Sequence, residues 1–290
     1  MLLEYENDKW EKVVFCADTG YMRNTSYMLT DFEGGHGLHA RITSVAQYPQ
    51  DGETYVGSRV EARSITLRGW IARDKAANRI KMLEIMKPKG RGTLTLIRGK
   101  FKRRIRCVVE RAPYFASERG DLYTILLYCP QPYWEEASGD SNIVMNGWQG
   151  LFEFPLEIVD GEGFEFGTRI SSVVMNIENP GDAETGFIAT FEAVGSVTNP
   201  EIVNVVTGQR MRFEVSMAAG DVLRVSTVPF DKWMTMERSN GTDENAMQYI
   251  TQDFEFIQLQ PGTNMLRAAA EYGGELLNTY LSFRALYLAV

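Results

Sequence analysis

The second half of the chain places the tightest limit on its fold. From about Asn142 onward, short apolar runs follow one another at intervals of roughly 8–12 residues, each bounded by Gly, Pro, Asn or Asp. SSVVMNIEN, GFIATFEAV, PEIVNVV, RMRFEVSM and DVLRVSTV succeed one another in this way. Val173, Met175 and Ile177 alternate in the first, and Met211, Phe213 and Val215 in the fourth, which is the period of a half-buried strand. QPGTN predicts a turn between DFEFIQL and MLRAAAEY, and YLSFRALYLAV is expected to close the sheet. The rhythm is that of a β-sandwich or jelly roll.

The first half mixes strands with one helix. ARSITLRGWI puts Ile65, Leu67, Gly69 and Ile71 on one face, as a strand does. DKAANRIKMLEIMKPKGRG predicts a helix with Asp74 as N-cap and an inner face of Ala76, Ile80, Leu83 and Met86–Lys87, ended by Pro88, Gly90 and Gly92. TLTLIRGKFKRRIRCVVE reads as a β-hairpin turning at Gly99-Lys100, and Leu122–Cys129 as a further strand. CPQPYWEEASGDSN then gathers breakers and small polar residues, which sets a domain boundary near Pro132–Asn142. We therefore expect a mainly β protein, with residues 1–135 a β domain carrying one helix and residues 136–290 a β-sandwich.

Charge divides at the same place. Residues 1–135 hold 22 Lys and Arg against 16 Asp and Glu, whereas residues 136–290 hold 8 against 22. Such a dipole suits oriented contacts between subunits, and the overall charge of −8 does not suit a nucleic-acid binder. Nothing approaches the roughly 20 apolar residues that cross a bilayer. MLLEYENDKWEK lacks the layout of a secretory signal, so synthesis in a reducing cytoplasm is expected. Cys16, Cys107 and Cys129 have no CxxC spacing and read as buried free thiols.

Motifs with chemical potential are few. Glu33, His36 and His39 in EGGHGLH supply fewer ligands than a transition-metal site requires, and the chain has no other histidine. GEGFEFG, residues 161–167, lacks the glycine spacing and following helix of a dinucleotide site, and reads as a hairpin loop with Phe164 and Phe166 alternating. Glu153, Glu157, Asp160, Glu162 and Glu165 surround that hairpin as a solvated acidic face, with no acid and base to nominate for glycoside hydrolysis. No catalytic residue, cofactor or metal is expected. The hairpin further upstream is more suggestive. If Phe101, Arg103, Ile105, Cys107 and Val109 share its inner face, Lys102, Arg104 and Arg106 line the outer one, with Arg98 and Lys100 near the turn. This basic stripe is either a solvated face or an assembly interface for an acidic partner. It lacks interleaved aromatics for single-stranded nucleic acid.

The order of segments resembles that of siphophage-type distal tail proteins. RGWI, a helix, KPKGRGTLTLIRGKFKRRIRCVVERAPYF and the strand into CPQPYW match the first domain. ENPGDAETGFIATFEAVGSVTNPEIVNVVTGQRMRFEVSMAAGDVLRVST carries NPGD, an NP pair, N-x-x-TG and GD in order, and LQPGTN supplies the closing PGxN. The resemblance implies a ring-forming N-terminal β domain and a C-terminal galectin-like β-sandwich. It implies a non-enzymatic part of the virion tail tip, or baseplate, made in the bacterial host cytoplasm. Its expected partners are copies of itself in a hexameric ring, single or stacked, the tail tube protein above, the tail-associated hub protein below, and a receptor-binding protein. No membrane and no sequence-specific nucleic acid is expected among them.

The competing class is a carbohydrate-binding module for host-surface attachment. Galectin-type recognition sets an aromatic platform beside polar side chains such as His, Asn, Arg and Glu. The second half has no His, and Trp148 and Trp233 lie outside any such cluster in the sequence.

Overall fold

The structure is a computed structural model that describes residues 1–17, 25–49, 51–116, 121–150, 167–171 and 174–290. The predicted loop at 161–166, its acidic surroundings and Val173 lie outside the described residues.

Strands dominate in both halves. The first half carries β1 (Leu2–Asn7), β2 (Lys12–Cys16), β3 (Tyr27–Glu33), β4 (Ala40–Ala46), β5 (Glu53–Val60) and β6 (Arg63–Ile71). The helix α1 (Lys75–Ile85), β7 (Arg91–Arg98), β8 (Phe101–Phe115), β9 (Leu122–Cys129) and β10 (Trp134–Glu136) follow. The second half carries β11 (Ser141–Gly150), β12 (Gly167–Ser171), β13 (Met175–Asn179), β14 (Phe187–Ala193), β15 (Val197–Asn204) and β16 (Arg210–Arg212). Then come β17 (Ser216–Met217), β18 (Val222–Ser226), β19 (Trp233–Glu237), β20 (Asp243–Asn245), β21 (Gly262–Tyr272), β22 (Leu277–Phe283) and β23 (Leu286–Tyr287). They form two compact units, one of Met1–Ser138 with Leu286–Val290 and one of Gly139–Ala285.

The first unit is a sheet in the order β23-β10-β8-β7-β1-β2-β3-β6-β9, and β8 also pairs with β9. That extra pairing joins the sheet's two sides around one core. The core takes the alternate residues expected of each strand: Ile65, Leu67 and Ile71 from β6, Ile105, Cys107 and Val109 from β8, Ile125 and Leu127 from β9. Gly69 continues the inner face of β6 because no side chain fits there. A Cβ at that position would stand 1.9 Å from the Met28 carbonyl oxygen and 2.4 Å from the Tyr123 hydroxyl, which donates to that same carbonyl at 2.7 Å. The predicted turn is observed, with Arg98 opposite Phe101 across β7 and β8.

The helix forms where expected but presents another face. Met82, Ile85 and Met86 are buried, whereas Ile80 is 58% exposed. The i, i+3, i+4 spacing of Met82, Ile85 and Met86 satisfies a helical stripe as well as the predicted set did, and packing chose between them. Asp74 does precede the helix, but its backbone is left-handed (φ 41°) and its carboxylate makes no capping bond.

The second unit packs a seven-stranded sheet, β12-β11-β22-β14-β18-β19-β20, with a five-stranded sheet of β13-β21-β15-β16 and β17. Phe187, Phe191, Phe213, Leu223, Leu266 and Leu281 fill its core. Met211, Phe213 and Val215 point inward as their alternation predicts. The strand that YLSFRALYLAV was expected to add, β22, lies between β11 and β14 in mid-sheet. The residues that follow it leave altogether, since β23 pairs with β10.

The turn motifs have a common physical reason. Each supplies a polar side chain that caps backbone groups where the chain reverses, which a buried loop needs. Asn179 is buried and donates to the carbonyls of Ala183 and Leu259 while accepting from Gly181 N–H. Asn204 accepts from Val206 and Thr207, Asn199 from Val215, and Asn264 donates to Gln260 and Gly262 and accepts from Gln260. Asp221 accepts from the backbones of Ala218 and Ser239 and from the Arg238 guanidinium.

Candidate assembly surfaces

Two features of the first unit fit contact with other molecules better than they fit the fold. The first is the ribbon of β4 and β5, which pair only with each other among the described residues. Nearly every residue on both strands is exposed, on both faces. The exposed set includes Ile42, Val45, Tyr55, Val56 and Val60, with Tyr48 fully exposed beyond β4. Arg41 sits directly opposite Arg59. A two-stranded ribbon is marginal in water by itself, and like charges directly opposite weaken it further. Sequence reading did not find this ribbon. The signal it relies on is one-sided burial, and this hairpin buries neither side.

The second feature is the basic stripe on β8. The structure keeps Lys102, Arg104 and Arg106 on one side and turns Ile105, Cys107 and Val109 into the core. Lys102 and Arg106 are exposed, as are Arg98 and Lys100 at the turn. Arg104 already has a partner in its own chain: its Nε lies 3.2 Å from the Glu135 carboxylate, and Glu135 is its register neighbour on β10. Arg103, on the inner side, stacks over Tyr287 at 3.5 Å and Phe101 at 4.4 Å and donates to the Ala289 carbonyl. Arg63 is buried and donates to the carbonyls of Gly34, Pro132 and Leu288 at 2.6–2.8 Å. Burial pulls the Arg63 pKa down from its ordinary value. Two arginines thus hold the C-terminal segment against the first sheet.

The remaining sequence candidates do not converge. His36 and His39 are both exposed, and Glu33 is paired with Arg68 at 2.9 Å. Among the described residues, no group of three or more His, Cys, Asp and Glu is placed to hold a metal ion. The three cysteines are buried and form no disulfide. Cys107 and Cys129 share a thiol hydrogen bond which, with burial, pushes the Cys107 pKa far up.

Residues 180–284 match the family model described as the siphovirus-type tail component, C-terminal domain. This stretch is similar to that tail component domain. It contains most of the turn residues above, from Gly181 in NPGD to Asn264 in PGxN. The whole chain has the fold of the crystal structure of SPP1 Dit (gp 19.1), titled a paradigm of hub adsorption apparatus in phages infecting Gram-positive hosts. The TM-score is 0.69 at 12% identity, over 99% of each chain. A chain of the phage P2 baseplate in its activated conformation with Ca is similar at a TM-score of 0.54 and 10% identity, over 100% of both chains. Its counterpart with Sr scores 0.53 at 9% identity, over 100% of this chain and 99% of that one. No curated protein sequence matches. The resemblance to siphophage distal tail proteins and the mainly β fold read from the sequence are both borne out.

Proposed function

We propose that this chain is a structural part of a phage tail tip, whose first unit assembles with copies of itself into a hexameric ring between tail tube and hub. The observation that carries the proposal is the uncovered β4–β5 ribbon. Exposed apolar side chains on such a ribbon gain about 1.5–3 kcal/mol each when fully buried, and a neighbouring copy would bury them. The reading is supported by the tail-component domain at 180–284 and by a fold shared with a hub protein and baseplate chains. The role is architectural: the tube protein docks above, the hub protein below, and a receptor-binding protein attaches at the periphery.

The test is sedimentation and negative-stain imaging of the full chain over a range of concentrations, with and without tube protein. Rings are expected. Ile42→Ser combined with Tyr55→Ser should reduce them at least tenfold without changing the circular dichroism spectrum. A strict monomer under every condition would overturn the proposal.

A further inference from the structure

The β4–β5 ribbon leaves the first sheet between β3 and β6, and its root is tied to residues far away in the chain. Arg63, the first residue of β6, is buried, and its guanidinium gathers carbonyls from three segments. Nη1 donates to Gly34 at 2.6 Å, in the leg that leads from β3 into the ribbon. Nε donates to Pro132 at 2.8 Å, just before β10, and Nη2 to Leu288 at 2.6 Å, just after β23. Trp134 on β10 is fully buried beside it, and its indole N–H donates to the Gly35 carbonyl at 3.2 Å. The Phe32 ring meets both Trp134 and His36 edge-on. Gly34 is left-handed (φ 81°), and a Cβ there would stand 2.0 Å from the Ser64 carbonyl oxygen, so this leg lies pressed onto β6. The Glu61 N–H closes the root by donating to the His39 carbonyl at 2.9 Å. Leu286–Val290 is held in turn by the register pairing of Tyr287 with Trp134 and by Arg103, which stacks on Tyr287 and donates to the Ala289 carbonyl.

We propose that Arg63 and Trp134 form a latch through which the docking of Leu286–Val290 fixes the pose of the ribbon. A guanidinium cannot shed its charge and carries only donors, so a buried one is stable only while carbonyls face it. With Leu288 in place, three carbonyls hold this planar group in one orientation, and Gly34 is held with it. Removing the Leu288 carbonyl leaves buried N–H groups unpaired, which turns Arg63 towards water and releases Gly34. The same removal strips Trp134 of its cross-strand neighbour Tyr287 and loosens the donor to Gly35. Both bonds to the incoming leg therefore depend on residues 286–290. The ribbon needs this support, because β4 and β5 pair only with each other among the described residues and a two-stranded ribbon is marginal alone. A ribbon already fixed at its root loses less conformational freedom on association, so it associates more tightly. That consequence for assembly rests on the ring reading above, whereas the latch itself does not. Synthesis runs from residue 1, so the ribbon is made long before Leu288, and its assembly-ready pose waits for the segment that completes its root. Every residue of the latch belongs to the first unit.

The experiment measures ribbon pose in the full chain by pulsed electron paramagnetic resonance. Spin labels are placed at Thr43→Cys on the ribbon and Lys9→Cys on the sheet, both exposed positions, while the native cysteines are buried. The distance distribution should be narrow in the labelled parent and at least twice as wide in Arg63→Met. Tyr287→Ser should widen it as much, although Tyr287 lies on β23 and not at the ribbon root. Combining the two should add little, because both break one connected set of contacts. Met82→Ala removes core packing elsewhere and should leave the width unchanged, which separates the latch from a general loss of stability. Circular dichroism checks each fold. Trp134→Phe, which deletes the bond to Gly35 and keeps a ring, replaces Arg63→Met should that variant unfold, with the same doubling expected. An unchanged width in folded Arg63→Met or Tyr287→Ser would overturn the latch, as would additive widening in the double variant or equal widening in Met82→Ala. Sedimentation of the same latch variants should show ring formation reduced at least threefold. Rings undiminished by a widened ribbon would overturn the ribbon's part in assembly, a failure distinct from that of the latch.

Discussion

Arg104 on β8 holds the Glu135 carboxylate on β10 from the register position directly beside it. A side chain that reads as part of a basic interface therefore also fastens β10 to β8 in its own sheet. Lys102 and Arg106 make no such ion pair among the described residues. The double change Lys102→Glu with Arg106→Glu should weaken ring assembly several-fold at low salt and much less in about 0.5 M salt, since exposed pairs contribute only about 0.2–1 kcal/mol each and are screened. Arg104→Glu should instead lower the melting temperature, because it sets two carboxylates together. Sedimentation reads the first and thermal unfolding the second. Unchanged assembly in the folded double variant would make the stripe a solvated face.

Two helix residues separate surface from core. Met82 is fully buried and Ile80 is mostly exposed. Met82→Ala should cost about 2–5 kcal/mol, whereas Ile80→Ala should stay within about 0.5 kcal/mol. Urea unfolding of both variants checks this. Similar losses would return Ile80 to the inner face.

Acid should weaken the second unit through Asp221. Burial works against its ionised form. The N–H groups of Ser239 and Ala218 and the Arg238 guanidinium outweigh that cost and hold its pKa below the ordinary value. A carboxylate depressed in the fold contributes in full above its unfolded pKa of about 3.9, and its contribution is lost as pH falls through the lower folded value. Asp221→Asn should therefore melt well below the natural chain at pH 7, and the gap should narrow towards pH 2. A gap independent of pH would show that Asp221 acts by shape alone.

The thiols should be inert. Cys16, Cys107 and Cys129 are buried, and Cys107 is further held in its neutral form by Cys129. Reaction with a thiol reagent at pH 8 is expected only after denaturant is added. Rapid labelling of the native chain would contradict this packing.

What the sequence made legible follows from where burial is one-sided. β6, β8 and β9 each carry a run of apolar residues at alternate positions towards one core, and period two reads that directly. In the second unit the Asn, Asp and Gly turn residues work within a few positions of their own loops, so Asn179, Asn204 and Asp221 were visible as motifs. The helix face was ambiguous because Ile80 and Met82 both satisfy a 3.6-residue period, and only contact with the sheet decides between them. The pairing of β10 with β23 joins residues far apart in the chain, and no local pattern announces it.

That β10–β23 pairing has an evolutionary corollary. The chain leaves the first sheet after β10 and re-enters it at the neighbouring strand, so everything between is a single excursion with adjoining points of exit and return. Any module whose own ends lie side by side could occupy that interval while the ribbon, the stripe and the anchoring arginines keep their places. Recombination between genes could then exchange the excursion and leave the sheet of the first unit untouched.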